Sequence, residues 1–162
     1  MNSLDALAQM HVRILPRRRD HTTAGDWADV LATYPLFKGI SKRRLRKIAR
    51  TATIAEFAPG ETIISAGDHG DALYVILAGE ADAVSKHAPR TFRTGDYFGE
   101  LALIDGRRRS ATVLATSDVH LIKLPCRTVL KLARRNPALT LTMLRHLTAR
   151  LRQLEAERAR AA

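Results

Sequence analysis

Seven of the nine glycines in this chain fall between Gly60 and Gly106, and that punctuation limits the possible folds more than any other feature. It divides the stretch after residue 51 into short runs of β-formers at 53–57, 61–65, 73–77, 81–85, 90–93, 111–115 and 119–124. Pro59-Gly60, Ala66-Gly67-Asp68, Ala78-Gly79 and Thr94-Gly95-Asp96 are turn signals at close spacing. Glycine and Asp accept the backbone angles of tight turns that branched residues resist. Many short strands with regular turns predict a sandwich or a small rolled barrel. The chain has 162 residues, 46% of them hydrophobic. That suffices for one core, since a chain near this length buries roughly 70% of its unfolded surface.

Helical periodicity flanks this region. Leu4, Leu7, His11 and Ile14 recur at helical spacing over residues 2–15, and Pro16 stops them. Residues 17–25 read as a polar linker. Asp26 is the expected N-cap of a helix through Trp27, Val30 and Leu31 that ends before Pro35. Ser41 is the expected cap of a second helix, with Leu45, Ile48 and Ala49 inward. Its Lys42, Arg43, Arg44, Arg46, Lys47 and Arg50 fall mostly on the outer side and read as a solvated face. After residue 126, Val129, Leu130 and Leu132 mark a helix that breaks at Asn136-Pro137. The last helix starts near Ala138 and carries Leu144, Leu147, Leu151 and Leu154 at spacings of 3, 4 and 3. This heptad-like seam either pairs with a second copy or packs on its own β-region.

Charge is unevenly placed. Residues 1–50 hold 11 basic and 4 acidic side chains, residues 51–100 hold 3 and 8, and residues 101–162 hold 13 and 4. The sum is +7 − 5 + 9 = +11. Charge alone specifies no groove-reading element, so DNA binding by this chain alone is not expected. No apolar run approaches the ~20 residues of a membrane span. Asp5 and Gln9 interrupt the N-terminus where a signal peptide needs an apolar stretch. The single Cys126 excludes an internal disulfide or a multi-cysteine metal site, so a reducing, cytoplasmic setting is expected. The six histidines show no His-x-His or His-x-x-x-His spacing, so no metal is expected. No nucleophile–base pair follows from spacing either, and an enzyme is not expected.

One segment carries chemistry. Residues 98–112 read Phe98-Gly99-Glu100-Leu101-Ala102-Leu103-Ile104-Asp105-Gly106-Arg107-Arg108-Arg109-Ser110-Ala111-Thr112. A Gly95-Asp96 turn leads to Gly99, where backbone can approach a ligand closely. Residues 100–104 suffice for one helical turn, whose first N–H groups are free to meet an anion. Gly106 ends the turn, and a basic triplet leads into a strand. A helix N-terminus with an arginine returning from the next strand suits a phosphate. A free Glu100 would repel that phosphate, so it needs another partner, naturally a sugar hydroxyl. A nucleotide whose phosphate is tied close to its ribose satisfies both groups.

These residues resemble the phosphate-binding cassette of the cyclic nucleotide-binding domain. That domain is found in regulatory subunits of cAMP-dependent protein kinase, in cyclic nucleotide-gated channels and in the bacterial catabolite activator family. The resemblance spans about residues 35–155 and includes Pro35-Leu36-Phe37, Pro59-Gly60-Glu61, Leu73-Tyr74-Val75-Ile76 with Gly79-Glu80, and Gly95-Asp96. It implies a mainly β fold with flanking helices: a double-stranded β-helix, or jelly-roll-like β-roll, with N-terminal helices and a C-terminal helical lid. The implied organisation is an extension and linker at 1–24 and one domain at 25–162. That domain divides into leading helices (25–50), β-roll (51–125) and C-terminal helices (126–162).

By the same resemblance Glu100 accepts the ribose 2′-hydroxyl, Arg109 pairs with the cyclic phosphate and Ser110 also reaches the phosphate. Gly99, Leu101, Ala102 and Ala111 match lining positions. Asp82 matches an acidic position that steadies the arginine from behind, and Ala83, Arg90 and Phe92 match wall positions near the base. Arg108 stands where a proline often precedes the ligand arginine, while the spacing from Glu100 points to Arg109. The base-capping region aligns with Gln153-Leu154-Glu155, which lacks both the Thr-Ser pair of the bacterial activator and an aromatic cap.

The implied function is a non-enzymatic sensor of a cyclic nucleotide, cAMP with cGMP as the alternative ligand, that repositions its C-terminal helices and acts on an effector protein. A threonine in place of Ser110 often accompanies cGMP preference. Two alternatives stand beside it: the sensor part of a catabolite-activator-like regulator, and an interaction module that binds no nucleotide. About eight residues follow Leu154, too few for a helix-turn-helix, so a stand-alone sensor is expected.

Overall fold

The computed structural model describes residues 24–84 and 89–161. The helix expected over residues 2–15 and most of the linker after it lie outside the described residues. The chain opens with α1 (Ala24–Ala32), a 3-10 turn (Pro35–Phe37) and α2 (Lys42–Ala49). Eight strands follow: β1 (Thr53–Phe57), β2 (Thr62–Ile64), β3 (Ala72–Ala78), β4 (Ala81–Val84), β5 (Arg90–Phe92), β6 (Tyr97–Phe98), β7 (Thr112–Ala115) and β8 (Val119–Pro125). Helix α3 (Glu100–Asp105) interrupts them between β6 and β7, and α4 (Cys126–Ala133) and α5 (Pro137–Ala161) close the chain.

The strands form two antiparallel sheets, ordered β1-β8-β3-β6 and β2-β7-β4-β5. Strands adjacent in sequence alternate between sheets at β1/β2 and β2/β3, so the chain winds around a shared interior as a β-roll. The mainly β architecture with flanking helices agrees with the expectation.

The β3 sequence explains how the layers stack. Every residue of Ala72–Ala78 is buried. Leu73, Val75 and Leu77 point to a cluster with Leu31, Phe37, Leu45, Ile48, Val129 and Leu139 from the helices. Ala72, Tyr74 and Ile76 point the other way, onto Ile63, Ala83, Phe92 and Val113 of the second sheet. A strand covered on both faces needs a continuous apolar run, because successive side chains alternate sides. The first sheet is therefore the middle layer, with helices on one side and the second sheet on the other.

Several local readings change. The first helix begins at Ala24, so Asp26 lies inside it and is not its N-cap. Ser41 holds the N-cap position with extended backbone, and its carbonyl accepts bonds from the Arg44 and Leu45 N–H groups, yet its side chain makes no capping bond. Strand β6 has only two residues, too few for a periodic signal, and exists because Tyr97 and Phe98 pair with Val75 and Tyr74. The break at Asn136-Pro137 occurs as expected. Buried Asn136 accepts from the Ala138 and Leu139 N–H groups through Oδ1 at 3.1 and 3.3 Å, capping α5 behind its first-turn proline. The core-facing residues of α5 are Leu139 and Met143. Of the heptad-like seam, Leu144 and Leu151 stay 54% and 57% exposed while Leu147 and Leu154 are half-buried, so half of that stripe faces solvent.

Candidate functional site

Glycine and backbone geometry build the site first. Gly99 precedes α3 with φ +89°, a left-handed conformation that side chains resist. A Cβ there would stand 2.6 Å from Arg109 Nη1 and 3.0 Å from the Ala72 carbonyl oxygen. Gly70 likewise lets its loop lie on Ala102, where a Cβ would collide with that side chain. Gly106 ends α3, again left-handed, with its N–H donating to the Ala102 carbonyl. The result is a six-residue helix whose first N–H groups lack intrahelical acceptors.

Of the three consecutive arginines only Arg109 turns inward. Arg107 and Arg108 are exposed, and Arg108 donates to the Gly67 carbonyl at 2.9 Å. The Arg109 backbone is pinned in place. Its N–H donates to the Asp68 carbonyl at 2.8 Å, and its carbonyl accepts from the Gly67 N–H at 2.9 Å. Its side chain, in a residue only 5% exposed, donates to the Ala72 carbonyl at 2.7 Å and the Gly99 carbonyl at 3.1 Å. The guanidinium carbon lies 5.5 Å from the centre of the Tyr74 ring. Two of the fork's five donors are thus engaged by carbonyls, which fixes its plane and leaves the others for a ligand.

The carboxylate nearest Arg109 is Asp71, with Oδ1 at 3.6 Å. A hydrogen-bonded Lys123 ammonium at 2.9 Å holds the Asp71 carboxyl below the usual range. Asp82 does not steady the arginine. Its Oδ1 accepts from the Thr91 hydroxyl at 2.7 Å across the β4–β5 pair, a bond within the second sheet.

Glu100 is 3% exposed. It does not pair with Arg109. Its Oε1 faces Arg150 Nη1 of α5 at 3.6 Å. Between these groups lies a hollow of about 40 Å³, lined by Gly99, Glu100, Leu101, Ala102, Arg109, Ser110, Ala111, Ala83 and Phe92. The cassette residues and two wall positions thus line one hollow. Arg90 and Leu154 do not line it. Arg90 stacks over Phe92 at 4.7 Å and donates to His146 Nε2 at 2.6 Å. The α5 residue that reaches the hollow is Arg150. Arg150 and His146 are four apart, hence on one helix face. That spacing was readable in the sequence, but the face of α5 that meets the roll was not.

The hollow holds about one water-sized molecule, an order of magnitude below the roughly 300 Å³ at which small-molecule sites begin. Arg150, from α5, is the one lining residue outside the roll.

The short helix α3 and the inward Arg109 stand between β6 and β7, where a sandwich would need only a strand-to-strand turn. The match is specific: residues 54–136 fit the family model for the cyclic nucleotide-binding domain, and the chain belongs to that family. It is 39% identical over 97 residues to a cAMP-dependent protein kinase regulatory subunit from Aspergillus niger, covering 58% of this chain and 24% of the relative. It is 37% identical over 81 residues to a cGMP-dependent protein kinase from Plasmodium berghei, covering 49% of this chain and 10% of the relative. Among solved structures it resembles the Thermus thermophilus catabolite activator protein, with TM-score 0.65 and 30% identity over 76% of this chain and 61% of that one. The chain thus matches about a quarter or less of the length of these kinase relatives. Among the described residues no helix is long and apolar enough to cross a membrane.

Proposed function

We propose that this chain is the sensing module for a cyclic nucleotide, with cAMP as the favoured ligand, and that binding shifts α4 and α5 to signal to an effector protein. One observation carries the reading. Buried Arg109 and buried Glu100 face one hollow without pairing with each other, and the lid helix supplies the ion that Glu100 lacks. Arg109 offers a charge-assisted fork for the cyclic phosphate, and the first N–H groups of α3 add donors. Glu100 accepts a ribose hydroxyl once Arg150 leaves. The ligand must favour the arrangement in which α5 has withdrawn, or it shifts nothing. Similarity to the regulatory subunit supports cAMP, and similarity to the cGMP-dependent kinase keeps cGMP as the competing ligand. The exposed Leu144 and Leu151 support pairing of α5 with a second copy. Likeness to the catabolite activator protein supports the second reading, in which the module serves a transcription regulator.

Thermal and calorimetric titration test this. A nucleotide at 100 times its Kd adds about 2.7 kcal/mol of stability. Arg109→Ala lowers affinity ~30- to several-thousand-fold, equivalent to about 2–5 kcal/mol for a desolvated charge pair. No stabilisation by either nucleotide overturns the reading, and unchanged affinity in Arg109→Ala removes Arg109 as the phosphate ligand. Tighter binding of cGMP reverses the base assignment.

A further inference from the structure

The cassette hollow is far smaller than a cavity on the helical side, a groove of about 960 Å³ between α2 and α4. Arg43, Arg44 and Lys47 line one side, Arg127, Lys131 and Arg135 the other. All six are exposed, none makes an ion pair among the described residues, and no carboxylate lines the groove. Along each wall, cations recur at i and i+4, where like charges repel. Ile48 and Leu132 form the floor, and the Thr51 and Thr128 hydroxyls, 3.3 Å apart, join the turn after α2 to α4. A second hollow lined by Lys131, Arg134 and Arg135 continues the basic surface around α4. The sequence shows the α2 cations as a solvated face. Only the fold sets a second basic row opposite them.

The shape selects among anionic occupants. Reading a nucleic-acid duplex requires a convex element that enters its groove, and this surface is concave. Single strands are held by stacking on aromatic side chains, and the groove has none. The basic helical face of a second copy is repelled by this groove, so only the acidic strands and turns of its roll would compete, and the oligomeric state in the test below reads that outcome. We propose that the groove docks an acidic segment of a partner protein, its carboxylates meeting both rows of cations and its apolar side chains resting between them.

The test uses the full chain and a labelled Glu-Leu repeat peptide as probe. A Gln-Leu counterpart and a labelled single-stranded oligonucleotide serve as comparisons, all read by fluorescence anisotropy. The acidic peptide binds, the neutral one does not, and added salt weakens the complex. The triple variant Arg43→Glu, Arg127→Glu, Lys131→Glu loses roughly ten- to a hundredfold in affinity, as three exposed pairs removed together would give. Arg158→Glu, on α5 outside the groove, leaves affinity unchanged. An unchanged melting temperature in the triple variant shows that the fold is intact, and Arg127→Gln alone gives a smaller loss if it is not. Failure of the acidic peptide to bind overturns the proposal. So does equal binding of the neutral peptide, insensitivity to the triple variant, tighter binding of the oligonucleotide at the same residues, or a concentration-dependent dimer lost in the triple variant.

Discussion

Arg109 shows how one charge is kept buried. Two carbonyls accept from its guanidinium, at shorter distances than the Asp71 carboxylate, so backbone is its principal partner. Backbone reaches it only because Gly99 is bare and left-handed. Gly99→Ala introduces both the disfavoured φ and a contact on Nη1. It costs about 1–3 kcal/mol of unfolding free energy in urea, the range for a residue forced into such a conformation. It also weakens nucleotide binding, because the arginine must turn. Unchanged stability would show that this turn relaxes freely. Glu100, Arg109 and their spacing were legible because they lie within one short segment. Asp71 was not legible as the arginine's carboxylate neighbour, since it sits 38 positions before Arg109 and meets it through the roll.

At the level of elements, α5 is held to the roll through a histidine. The Arg90 guanidinium can only donate, so His146 Nε2 must accept and its proton sits on Nδ1. The Tyr97 ring meets the imidazole edge-on at 4.5 Å. Burial pushes the His146 pKa below its ordinary 6.5, and the adjacent Arg90 pushes it the same way, against weaker opposite pulls from Glu100 and Asp96. A folded value below the unfolded one means the unfolded chain binds more protons as pH falls. This contact therefore contributes fully above pH 6.5 and is lost as pH falls below that through the lower folded value. Melting temperature is expected to drop over this window in the native chain, and the drop to be smaller in His146→Gln. Identical pH profiles for the two would exclude His146 as the source. The helical character of α5 was evident from its leucines, yet the seam leucines are not its fully buried residues. Leu139 and Met143 are, because the Asn136 cap and the 3-10 turn at Pro35–Phe37 set the rotation of the helix.

Across the whole molecule, charge and apolar surface are segregated. The basic helices lie on one side of the middle sheet, and the acidic residues belong mostly to the strands and turns of the roll. The exposed seam on α5 gives an expectation for assembly: the chain dimerises at micromolar concentration in sedimentation experiments, and Leu151→Glu makes it monomeric. A native chain that sediments as a monomer at every concentration removes α5 as a dimer seam. Turn glycines and short β-forming runs determined a small closed β-domain from sequence alone, and the segment from Gly99 to Arg109 determined a phosphate-suited turn whose resemblance to a known cassette implied the β-roll, because each is a local pattern enforced by backbone sterics or short-range chemistry. The opposition of Arg150 to Glu100, the placing of Asp71 beside Arg109 and the facing of two basic rows across a groove were decided only by the tertiary structure. Each depends on the angle at which one packed layer meets another, and that angle is set by the summed packing of residues far apart in the chain.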